Sequence, residues 1–240
     1  MKRFIIGSFC ALMLCTACDD GRIYEQTYTA TEGKTVVLTG TLQGLDAWAD
    51  GYSVSIAGFD GVDDYAFISK VLMPRQDGSL HIADTLSGIP ADVRNVQLCV
   101  INRLRQHVVT FSEVDVTGYS TRDTIRMDVG TINVGMFQAI QQSYFNTTCA
   151  NCHGATGRAA AGLFLTEGQS YDALVGAASH KVEGQLLVKA GQPDSSILYQ
   201  ALTTDLTKDW REYHRDLVSE QVELKILPII RAWIQGGAEQ

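Results

Sequence analysis

Cys149, Cys152 and His153 stand in the run Cys149-Ala150-Asn151-Cys152-His153, two cysteines three apart followed at once by a histidine. Residues three apart share a face of a helical turn, so both thiols can add to the two vinyl groups on one edge of a porphyrin. That is the attachment spacing of a c-type haem. The imidazole of His153 comes next, a nitrogen donor suited to iron, and its second ring nitrogen commonly donates to a backbone carbonyl that fixes tautomer and ring plane. The expected roles are covalent anchors for Cys149 and Cys152 and proximal iron ligand for His153, with haem c as the cofactor.

Two cysteines at this spacing also have plainer uses. A zinc site takes four ligands, usually from two such pairs, and the other pair so spaced, Cys15 and Cys18, belongs to the N-terminal export-signal layout. A thioredoxin-like redox pair opens a helix within a strand-helix-strand pattern. Here the motif follows a helix-like stretch, residues 134–145. A simple disulfide between Cys149 and Cys152 is the other plain reading of the pair.

The elements around the motif divide the chain near Gly130. Residues 28–129 alternate β-branched and aromatic residues with polar ones in short runs parted by Gly, Asp, Asn and Pro, the pattern of half-buried strands. Strands are expected at residues 34–42, 52–58, 65–73, 80–84, 93–103, 108–116 and 124–129, with Asp77-Gly78 as a hairpin turn. Seven or eight short strands suggest an antiparallel, immunoglobulin-like β-sandwich. Residues 219–235 space Val222, Ile226, Ile229, Ile230, Trp233 and Ile234 at helical intervals, and Pro228 predicts a kink or break. The domain plan is a signal peptide at 1–17, a tether at 18–27, a β-sandwich at 28–130 and a helical haem domain at 131–240. The fold class is all-β followed by all-α.

Other reactive side chains read as structural. The Asp60, Asp63 and Asp64 loop lacks the ligand order of a calcium motif and reads as a solvated acidic turn. His81 and His107 read as ordinary sheet histidines, and Cys99, in a strand-like run, as a buried free thiol.

Lys2 and Arg3, an apolar run over residues 4–14 and the small Ala17 before Cys18 form the layout of an export signal. The run is shorter than the roughly 20 residues that span a bilayer. It resembles the cleavage box of bacterial lipoproteins, apart from Cys15 where that family usually has leucine, and the resemblance implies lipid on Cys18 and an outer-membrane lipoprotein facing the periplasm or the cell surface. A soluble secreted form is the alternative. Removing Lys2 and Arg3 from the 19 basic residues leaves 17 against 27 acidic, a formal charge of −10. Such a charge argues against nucleic acid as a partner.

From Gly135 to Gly237 the chain resembles the single-haem class I cytochrome c modules appended to larger exported bacterial proteins. The likeness rests on Gly154 after His153, on Ser170-Tyr-Asp-Ala-Leu-Val, and on Val188-Lys-Ala-Gly-Gln-Pro-Asp-Ser-Ser-Ile-Leu, which is similar to the family's V-x-P-G-x-P-x-S-S-x-L with Ala190 in place of proline. It implies a small helical cytochrome c domain, with Ser170 capping one short helix and Asp194 or Ser195 another. Family members usually supply a methionine as the second iron ligand shortly before the last helix. No methionine follows Met136, and a helix of 13 residues would hold Met136 about 20 Å from the motif. The segment in the methionine's place offers His214, with His180 as second choice. The resemblance implies a monohaem electron carrier, with a redox partner the sequence does not identify. Two other functions fit the same features: a haem enzyme or sensor with an open coordination site, and an adhesion or glycan-binding lipoprotein whose sandwich is the working part.

Overall fold

Strand β1, Lys34–Gln43, shows how the sheets arise from the sequence: every second residue from Lys34 through Val36, Leu38 and Gly40 to Leu42 is buried. One face of a pleated strand carries alternate side chains, and here that face is the core. The computed structural model describes residues 32–75, 78–154 and 159–240. The expected signal peptide, tether and lipidated Cys18 lie outside them, as does Asp77.

Six further strands follow: β2 (Tyr52–Phe59), β3 (Ile68–Val71), β4 (His81–Ile89), β5 (Asn95–Asn102), β6 (His107–Asp115) and β7 (Thr124–Asn133). They form two sheets, ordered β4-β1-β7 and β3-β2-β5-β6. Gly40 lies where the β1/β7 register shifts, between Thr39 and Thr41. A Cβ there would stand 2.6 Å from the Val129 side chain and 2.8 Å from the Gly130 carbonyl oxygen. Lys34 is turned into the core, where its ammonium donates to the Val116 carbonyl at 2.6 Å. A buried ammonium requires such a partner.

After β7 the chain enters one continuous helical run made of three pieces: α1 (Met136–Ile140), a π-helical stretch over Gln141–Cys149, and α2 (Ala150–His153). The remaining helices are short: α3 (Ser170–Leu174), α4 (Ile197–Thr203) and α5 (Leu227–Gln235), joined by 3₁₀ turns and irregular chain. A second π-helical stretch, Val222–Ile226, leads into α5 and places Pro228 in its first turn. There a residue without an N–H is tolerated. The helical run is not interrupted there: it passes from π to α geometry at Leu227, one residue before the proline. Trp233, Ile230 and Phe137 belong to the same buried apolar cluster as Leu38, Ile56 and Leu98 of the sheets. Residues 32–240 form one compact unit.

Several expectations are corrected. The fold is not an all-antiparallel sandwich followed by a small helical cytochrome c domain: it is a mixed unit of a three-stranded and a four-stranded sheet with short helices in the C-terminal half. Strands β1 and β7 pair in parallel, from Thr35 against Thr124 to Gln43 against Asn133. The period of a strand reports which face is buried and is silent on the direction of its neighbour. Strands β3 and β4, on either side of the expected hairpin turn, lie in different sheets. The caps also differ: Gln169, one residue before Ser170, precedes α3, and Ser196, one residue after Ser195 and two after Asp194, precedes α4, neither capping through its side chain. Ser170 is buried instead, and its hydroxyl donates to the Gln141 side-chain oxygen. That oxygen belongs to a carboxamide whose nitrogen reaches Asn146 at 2.7 Å and the Leu165 carbonyl at 3.1 Å. A buried amide outcompetes a helix end for the hydroxyl because leaving it unpaired costs more.

Candidate functional site

The helical run from Met136 delivers the motif residues on successive turns. Cys149 closes the π-helical stretch, and Cys152 and His153 end α2. Cys149 is half-buried against the apolar core, whereas Cys152 is exposed. Burial pushes the Cys149 thiol up to about 12, so it stands there as the neutral thiol. Gly154 ends the helix tightly: a Cβ on it would meet the Ala150 carbonyl oxygen at 2.1 Å. Only a residue without a side chain turns the backbone this close behind the histidine.

His153 is fixed at both ends. Its Nδ1 lies 3.2 Å from the Leu163 carbonyl oxygen, and its own carbonyl accepts the Leu165 N–H at 2.8 Å. His214 begins a 3₁₀ turn, His214–Leu217. Its N–H donates to the Thr207 hydroxyl at 2.9 Å, and its Nδ1 lies 3.2 Å from the Glu212 carbonyl oxygen. Trp210 stands edge-on to the ring, with centroids 6.1 Å apart. Burial, then the nearby His153, hold the His214 pKa below the ordinary imidazole value, which favours the neutral form that binds metal.

The tertiary structure brings these two histidines together. Their ring centroids are 6.3 Å apart and their planes are turned by 32°. Two metal–nitrogen bonds of about 2.0 Å, each followed by about 1.1 Å from nitrogen to ring centre, would separate two axial imidazoles by about 6.2 Å. With each Nδ1 facing a backbone carbonyl, Nε2 is the nitrogen left on both rings for iron. Among the described residues no group of three or more His, Cys, Asp or Glu side chains is placed to hold a bare ion. Two imidazoles suffice for a haem, whose macrocycle supplies the other donors. Two thiols and two imidazoles are the donor types that the cofactor implied by the motif takes.

The other sequence candidates stand apart. His180 is exposed, in an irregular segment after the Val175 bridge, and Met136 begins α1 at the far end of the helical run. His81 is exposed on β4, and the His107 ring meets the Thr110 hydroxyl at 2.7 Å within the second sheet. Cys99 is completely buried on β5. Asp60 closes its own turn by accepting the Val62 N–H at 2.8 Å, while Asp64 forms an ion pair with Lys225 at 2.6 Å.

Three residues beside the site carry no signal in the sequence. Tyr144 is one π turn before Cys149, and its buried hydroxyl has no hydrogen-bond partner among the described residues. Burial, then the neighbouring Cys149, push its pKa up, so it remains a proton donor beside that thiol. Thr207 and Asp205 hold the His214 turn, and only the folded chain brings them to it. No helix among the described residues is long and apolar enough to cross a membrane. No protein-family model, curated protein or solved structure matches this chain.

Proposed function

We propose that this chain is a monohaem c-type electron-transfer protein of the cell envelope, anchored through lipid on Cys18. The observation that carries the reading is the pairing of His153 with His214, 6.3 Å between ring centroids, beside the two motif cysteines. In this reading Cys149 and Cys152 would hold the cofactor through thioether bonds, and His153 and His214 would ligate its iron through Nε2. A haem bound there supplies a one-electron ferric/ferrous centre. The Leu163 and Glu212 carbonyls hold the two rings in orientation, so little rearrangement accompanies a change of charge. Two ring nitrogens on the iron leave no open position, which favours an electron carrier over a haem enzyme or gas sensor. A bis-histidine centre also lacks the potential-raising effect of methionine.

The test is expression with a cytochrome c maturation system, followed by haem staining on a denaturing gel and optical spectra before and after dithionite. The wild-type protein should carry stain and a low-spin spectrum. The double variant Cys149→Ala/Cys152→Ala should carry no stain, and His214→Ala should turn high-spin and bind carbon monoxide readily. Stain persisting in the double variant would sink covalent attachment, and an unchanged low-spin spectrum in His214→Ala would remove it as ligand. Cys18→Ser should abolish labelling by a fatty acid and release the protein from membranes; labelling that persists would refute the anchor.

A further inference from the structure

The chain around His214 is tied down by a neighbouring turn that the sequence does not mark. Thr204 caps the 3₁₀ turn Asp205–Thr207 by accepting the Leu206 N–H at 3.3 Å. From that turn three tethers reach the histidine's own stretch. Asp205 accepts from the Tyr213 hydroxyl at 2.5 Å and from Arg215 at 3.4 Å, thereby holding the residues immediately before and after His214. The Thr207 hydroxyl accepts the N–H of His214 itself at 2.9 Å. Thr207 also accepts the Trp210 N–H on its carbonyl at 3.0 Å, and Trp210 is the ring that stands edge-on to His214.

These contacts differ in weight. Tyr213 and Arg215 meet Asp205 near the surface, its side chain 65% exposed, and exposed pairs of this kind contribute little. Thr207 is fully buried. A buried acceptor deprived of its donor, or a donor of its acceptor, is penalised more heavily than an exposed one. The hydroxyl of Thr207 is therefore the main restraint and the Asp205 carboxylate the secondary one.

We infer that Thr207, assisted by Asp205, is a positioning residue that holds His214 as the second axial ligand and sets how often it leaves the iron. The inference rests on the haem reading above. A turn held in place before the ligand binds lowers the ordering required for coordination, so His214 returns to the metal faster than an external ligand reaches it. Loosening the turn should expose the iron more often without changing the cofactor's attachment.

The experiment uses the full-length haem-loaded protein and measures the rate of carbon monoxide binding after reduction. Thr207→Val should raise that rate about tenfold, the weight of one buried hydrogen bond, with haem stain retained. Thr207→Ser, which keeps the hydroxyl, should restore the wild-type rate. A Thr207→Val protein that is less stable but binds carbon monoxide at the wild-type rate would overturn the inference, because Thr207 would then serve the fold alone. If Thr207→Val does not fold, Asp205→Asn reads the other arm, with an increase of about threefold expected for an exposed contact; an unchanged rate there also overturns it. Absence of haem stain in the wild-type protein would instead remove the haem reading itself, and the gel shows that before any variant is compared.

Discussion

Removing either partner of the Asp64–Lys225 ion pair should have very unequal effects. The carboxylate and ammonium are 2.6 Å apart, but the Lys225 side chain is 11% exposed and that of Asp64 46% exposed. At an effective dielectric near 20, unit charges about 3 Å apart attract by about 5 kcal/mol, and most of this is offset by desolvation. Asp64→Ala strands an ammonium that water barely reaches. For a fully buried pair such a loss costs about 3–5 kcal/mol; with one partner half in solvent, about 2 kcal/mol is expected. Lys225→Met keeps the aliphatic stem packed and leaves a carboxylate that water can solvate, so about 0.5 kcal/mol or less is expected. Urea unfolding at pH 7, with the double variant closing the cycle, measures both. His107 provides an independent check on the same proteins. Its pKa is held down first by burial and then by Lys225, and is raised by Asp64. Its NMR titration should therefore move upward in Lys225→Met and downward in Asp64→Ala. If Lys225→Met proved as destabilising as Asp64→Ala, the argument from unequal burial would be wrong.

Other variants test the core and the motif. Burial raises the Cys99 thiol from its ordinary 9.0 to about 12. The unfolded chain therefore loses that proton first as pH rises, so the stabilisation is complete below pH 9 and is lost toward pH 12. Over that span the loss is about 4 kcal/mol; Cys99→Ala should show a correspondingly flatter alkaline stability profile, and an unchanged slope would contradict the assignment. Gly154→Ala should lower haem incorporation by crowding the Ala150 carbonyl, read as stain per folded protein; normal incorporation would show that the turn after His153 yields easily. Trp233 is 2% exposed and packs against Phe137 at 5.1 Å between ring centroids. Trp233→Ala should cost about 3–5 kcal/mol in urea unfolding, and a loss under 1 kcal/mol would show that this part of the core collapses around the gap.

What the sequence determined alone was local. Alternation along residues 34–42 places every second side chain on one face, and β1 forms there with that face buried; β2 forms where residues 52–58 alternate, but it is buried on both faces from Val54 to Phe59. The spacing of Cys149, Cys152 and His153 is likewise local, since a single helical turn sets it. The irregularity that Pro228 predicts is local for the same reason, since a missing N–H acts within four residues, and it is met by a π-helical stretch directly before α5 and not by a break. The tertiary structure decided what depends on partners distant in sequence. Strand period does not encode direction, so the parallel pairing of β1 with β7 emerges only when the first and last strands meet. The helical pattern of the C-terminal half reads as a separate bundle, yet Phe137, Ile230 and Trp233 join the cluster that contains Leu38 and Leu98, because an apolar stripe specifies burial without naming what covers it. His180 and His214 offer the same imidazole. Only the folded chain, holding the His214 turn on Thr207 and the His153 ring on Leu163, brings one of them to 6.3 Å from His153 and leaves the other in solvent.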